Sequence, residues 1–81
     1  MSLWLLEPID KHSGPWNPWY DKCFGAVVRA KTETEARQVL AGQTNAYDEG
    51  PDAWLNPALS TCVQLSARGK AEVLLREEHW A

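Results

Sequence analysis

Two apolar runs near the start of this chain are separated by Gly14-Pro15-Trp16-Asn17-Pro18-Trp19-Tyr20-Asp21-Lys22-Cys23-Phe24-Gly25. The segment carries four aromatics, two prolines, two glycines and a cysteine. Proline removes a backbone donor and fixes φ, so neither a long helix nor a central strand can run through it. The front third of the chain must therefore be strand, loop, strand. The whole chain holds five tryptophans in 81 residues. Each buried ring removes roughly 150–250 Å² from water, which at about 25 cal/mol per Å² amounts to a few kcal/mol. The loop is thus either a plug for a small core or a recognition surface.

The need for such a plug follows from size. A single domain of this length buries only roughly 60–65% of the surface its unfolded chain exposes, and small folds commonly recruit metals, disulfides or subunit contacts. An apolar content of 44% is that of an ordinary globular chain and excludes disorder.

Ser2 to Glu7 reads as a first strand. Leu3 and Leu5 face one way and Trp4 and Leu6 the other, as in a central strand or one covered on both sides. Phe24 to Lys31 reads as a second, with Phe24, Ala26, Val28 and Ala30 forming its core face. Gly25 marks a bulge or a close approach, for which an indole is the natural candidate. Thr32-Glu33-Thr34-Glu35 is a capping box opening a helix over 33–41. Glu33 and Arg37 are spaced to pair on its exposed side, and Gly42 is the natural C′ residue. A helical turn at Asp52–Leu55 is closed by Pro57. Ser60 to Leu65 reads as a third strand, Ser66–Lys70 as a hairpin connection and Ala71 to Arg76 as a fourth strand, with Val73 and Leu75 inward. The order β-β-α-β-β predicts one α+β domain over residues 1–81: a small four-stranded, mainly antiparallel sheet with one helix on a face.

Charge and motifs narrow the function. The net charge is −3, and the eight Lys and Arg are scattered, so the clustered cations that grip a phosphate backbone are missing and direct nucleic-acid binding is not expected. Asp48, Glu49 and Asp52 crowd one loop, too sparse an array to imitate DNA. The N-terminal apolar run lacks a basic leader and no run is long enough to span a bilayer, so a cytoplasmic protein is expected. Cys23 and Cys62 are then reduced, although a disulfide between two strand starts stays open to test. Together with His12 and His79 they could supply metal ligands or a Cys–His dyad. The positions lack the close pairs of zinc sites, and nothing orients a dyad. Neither cofactor nor metal is expected, and no catalytic residue is assigned.

The binding candidates are Trp16, Trp19, Tyr20, Asp21 and Trp54. Such rings dominate the centres of protein interfaces. Alternatively they stack on a nucleotide-like small molecule in an aromatic pocket, with Asp21, Lys22 or Arg29 as polar anchors. A third reading makes them a second small core roofing the sheet. Self-association across a two-fold axis is a further expectation for a sheet with two apolar faces.

The segments Trp4-Leu5-Leu6-Glu7-Pro8, Pro18-Trp19-Tyr20-Asp21-Lys22-Cys23-Phe24-Gly25 and Val27-Val28-Arg29-Ala30, followed by Glu35-Ala36-Arg37, resemble a group of small proteins encoded in bacteriophages and prophages. The similarity extends to Asp48-Glu49-Gly50 and Trp54 and so to most of the chain. The resemblance implies a phage context and, by association, an accessory factor that binds and inhibits a host protein such as a defence complex. It transfers no functional residues.

Overall fold

The computed structural model describes residues 1–17, 22–44 and 48–75. Three strands, β1 (Ser2–Pro8), β2 (Ala26–Ala30) and β3 (Ser60–Gln64), form an antiparallel sheet in the order β2-β1-β3. Two helices, α1 (Glu33–Ala41) and α2 (Pro51–Leu55), lie between β2 and β3 in the chain. The α+β class and the central position of β1 agree with the sequence. The four-stranded sheet does not: residues 71–75 form no strand, and Arg76 lies outside the described residues. Alternation alone made 71–76 look like a strand. Val73 and Leu74 are exposed, and among the described residues 66–75 make no backbone hydrogen bond with the sheet.

Register fixes the two faces. Leu5 stands between Val27 and Val63, and Leu6 between Ala26 and Cys62. Because side chains alternate, Trp4, Leu6, Val28, Ala30, Ser60 and Cys62 look toward the helices. Leu3, Leu5, Val27, Arg29, Thr61 and Val63 look the other way. The helix-side set forms the core with Ala36, Leu40, Ala41, Ala53, Trp54 and Trp16. Val28 and Ala30 are buried as the strand pattern predicts, although β2 begins at Ala26 and not at Phe24.

Helix α1 starts where the capping box places it. The Thr32 hydroxyl accepts from the Glu35 amide at 3.1 Å, and the Glu35 carboxylate reaches back to the Lys31 amide at 2.9 Å. Gly42 closes the helix in a right-handed conformation, φ −67°, so no left-handed C′ glycine is used. Gly50, by contrast, sits at φ 80° ahead of α2, where a side chain would be strained. The close approach expected at Gly25 is made by an aliphatic side chain. A Cβ there would stand 3.0 Å from the Leu75 Cδ1.

Candidate functional site

The two binding candidates Trp16 and Trp54 lie in the interior and not on a contact surface. Each has no solvent exposure. Their rings meet edge to face, 5.4 Å between centroids and 76° apart in plane, a geometry that the aromatic quadrupole favours. Pro15 and the 3-10 turn Gly14–Trp16 turn the chain so that Trp16 points inward. Trp19, Tyr20 and Asp21 lie outside the described residues. The expectation that Trp16 and Trp54 present their faces to a partner is therefore corrected. In so small a core each ring supplies more buried area than any aliphatic side chain.

Burying an indole leaves its N–H in need of an acceptor. Trp16 Nε1 donates to the Cys23 carbonyl at 2.8 Å, and Trp4 Nε1 to the Ala30 carbonyl at 3.0 Å. Trp54 Nε1 donates to Glu49 Oε2 at 2.7 Å, while Glu49 Oε1 accepts from the Cys23 amide at 2.8 Å. Glu49 is buried. Its one carboxylate thereby joins the start of α2 to the aromatic loop, so the acidic loop 48–52 is partly a structural clamp.

Arg37 makes the second clamp. The sequence places it on the exposed side of α1, paired with Glu33. The ion pair forms, Nε to Oε2 at 3.2 Å, but Arg37 itself is buried. Its Nη1 donates to the Trp54 carbonyl at 2.9 Å and to the Ser60 hydroxyl at 3.0 Å, and its Nη2 to the Ser60 carbonyl at 3.0 Å. The guanidinium thus ties α1, α2 and β3 together. An i,i+4 acid is visible in the sequence, whereas distant carbonyl acceptors are not.

The groove beside this clamp, about 250 Å³, is lined by Glu33, Thr34, Arg37, Gln38, Leu55 and Pro57. It contains no aromatic ring to stack a base. Both cysteines are free thiols. The Cys23 thiol donates to the Gly25 carbonyl at 3.3 Å. Burial pushes the Cys62 thiol above its ordinary pKa, against the pull of the Arg37 guanidinium, with Glu33 adding a smaller push upward. Among the described residues no group of His, Cys, Asp and Glu is arranged to hold a metal ion. No helix among them is long and apolar enough to cross a membrane.

The second apolar face that the sequence implies is the far face of the sheet. Leu3, Val27 and Val63 are 41, 47 and 56% exposed around a buried Leu5, with Arg29 and Glu7 at opposite ends. Its signal in the sequence is the two-sided apolar pattern of Ser2–Glu7, which fits a central strand or one covered on both sides.

Comparison with protein-family models, with curated proteins and with solved structures finds no match to this chain.

Proposed function

We propose that this chain is a non-catalytic binding protein that meets a partner protein through the open face of its sheet. The observation that carries this reading is the aliphatic row Val27, Leu5 and Val63 with Leu3, which runs across all three strands and exposes Leu3, Val27 and Val63 around a buried Leu5. An apolar patch framed by polar groups is the composition of a protein contact surface. Arg29 and Glu7 frame this one with opposite charges. The reading is also supported by where the polar chemistry is spent. Arg37 and Glu49 are consumed in structural hydrogen bonds, and burial disfavours the Cys62 thiolate a nucleophile would need. The phage resemblance makes the partner a host protein, a defence complex among the candidates, and the setting the host cytoplasm. In this proposal Trp19, Tyr20 and Asp21 remain contact candidates, while Trp16 and Trp54 support the fold. The small-molecule alternative loses two of its stacking rings to the core.

The test is a double variant, Leu3→Lys with Val27→Lys, used as bait beside the wild type in host lysate. The captured protein is then purified and titrated against both. Binding that falls at least tenfold with the far-ultraviolet spectrum unchanged supports the proposal. Equal affinity for both baits sinks it.

A further inference from the structure

The phase of the β1–β3 ladder decides which backbone groups of β3 are used. The Leu65 amide donates to the Leu3 carbonyl at 2.9 Å, and the Ile9 amide to the Leu59 carbonyl at 3.0 Å. In an antiparallel ladder hydrogen-bonded and non-hydrogen-bonded pairs alternate. Leu5 with Val63 and Glu7 with Thr61 are therefore hydrogen-bonded pairs, and the N–H and C=O groups of Cys62 and Gln64 point away from β1. Thr61, Val63 and Gln64 are exposed along this outer edge.

Among the described residues no backbone group pairs with this edge. An unpaired edge is a template for another strand, and folded proteins usually blunt it with charge or proline. Strand β2 carries Arg29 and is followed by Lys31. From Asn56 to Ala67 the chain carries no charged residue, and β3 itself is Ser-Thr-Cys-Val-Gln. The lack of charge also bears on the identity of the partner strand. When a strand pairs with its own copy, like residues come together, so a charged edge repels itself. Self-pairing of β2 would crowd arginine and lysine. Self-pairing of β3 sets only neutral side chains together, two of the five β-branched.

We propose that the outer edge of β3 pairs antiparallel with the same edge of a second copy, about a two-fold axis at Val63. The two three-stranded sheets become one continuous sheet. The register follows from the closed end of the strand. The Ser60 amide donates to the Asn56 carbonyl at 3.2 Å, and the Ser60 carbonyl accepts from Arg37. An axis at Cys62 would require Ser60 to pair and is blocked. An axis at Val63 instead pairs Cys62 with Gln64 of the partner subunit, each pair exchanging both N–H···O bonds. Val63 then meets its own copy in a non-hydrogen-bonded pair, Cα to Cα about 4.5 Å. The arrangement is isologous and closed, and it joins the two open aliphatic rows into one stripe. It stands independently of the proposed host partner.

The test is sedimentation of the full chain over a range of concentrations. Wild type is expected at twice the chain mass. Gln64→Pro removes an N–H that faces away from β1, together with the exposed side-chain amide that donates to the Ser2 hydroxyl at 3.0 Å, and spares the β1–β3 ladder bonds. It is expected to sediment at the single-chain mass with an unchanged far-ultraviolet spectrum. Arg29→Pro removes an outward N–H from β2 and is expected to leave the dimer intact. Amide exchange in the wild type gives a second measurement that requires no variant. Protection of Cys62 and Gln64 should rise with concentration in step with mass. A wild type that stays monomeric at every concentration overturns the proposal. So does a dimer that survives in folded Gln64→Pro or dissociates in Arg29→Pro. If Gln64→Pro does not fold, unprotected Cys62 and Gln64 amides in concentrated wild type overturn it. Loss of the dimer with host-partner capture intact, or the reverse, separates this proposal from the binding reading.

Discussion

On the helix side of the sheet, two indoles with no solvent exposure meet edge to face, and buried Arg37 and Glu49 satisfy the polar groups around them. On the other side, Leu3, Val27 and Val63 are partly exposed, no helix among the described residues lies over them, and Leu75 reaches the face at Gly25. Both sides are apolar in sequence, yet among the described residues only one is closed by helices. A sheet of three short strands with one helix and a helical turn has material for a single layer of cover. The polar clamps explain which side that layer takes. Among the described residues Arg37 and Glu49 find their acceptors and donors on α1, α2, β3 and the aromatic loop, at Glu33, Trp54, Ser60 and Cys23. The closed side should therefore carry the stability and the open side the contacts.

The sharpest way to break that division is to truncate one residue on each side. Trp54→Ala removes a fully buried ring from the closed side and strands Glu49. Large-to-small changes of this kind cost about 3–5 kcal/mol, comparable with the entire stability of many small domains. The variant is expected to be largely unfolded by circular dichroism. Val63→Ala on the open side is expected to shift the urea midpoint by no more than about 0.5 kcal/mol equivalent. Similar losses at the two positions would erase the distinction.

A smaller effect is expected at the guanidinium. Arg37→Ala leaves the Trp54 and Ser60 carbonyls without their donors, at a cost of about 2–4 kcal/mol. Arg37→Lys is expected to recover little, because an ammonium on a flexible stem does not span acceptors that lie across two elements. Chemical denaturation of both variants checks this. Full rescue by lysine would mean that charge, and not the planar fork, holds the helices.

The smallest effect concerns Cys62, which faces the helices from the exposed edge strand. Its thiol pKa is raised in the folded state by burial. The folded protein therefore holds the thiol proton more tightly than the unfolded chain does. The resulting stabilisation is complete below the ordinary thiol range and is lost as pH climbs through the raised value. Alkylation of Cys62 should run several-fold slower than in urea-unfolded chain near the ordinary thiol pKa, and the gap should narrow at higher pH. Equal rates in folded and unfolded chains would place Cys62 with the open side.

The pattern of local signals was a good guide where neighbours in sequence are neighbours in space. Thr32 with Glu35 announced α1, Pro57 marked the end of α2, which opens at Pro51, one residue before the expected Asp52, and the alternation of Ala26, Val28 and Ala30 identified the buried side of β2. The same reasoning failed at Arg37, where a correct ion pair with Glu33 concealed a buried fork bonded 17 and 23 residues away. It failed again at 71–75, where alternation without a partner edge makes no strand. For the candidate site the aromatic loop drew the eye. Trp16 turned out to be core, and the open face was hidden in the plain pattern of Leu3 and Leu5.

By itself the sequence determined the types of β1, β2, α1, α2 and β3, the central place of the first strand and the need for large rings in a core this small, because these follow from backbone sterics, period and area. Which side of the sheet receives the helices, and which indoles it seals away, was decided only by the tertiary structure. That choice depends on whether distant carbonyls, amides and a single carboxylate can reach the groups that burial leaves unpaired, and such reach is a property of three-dimensional placement.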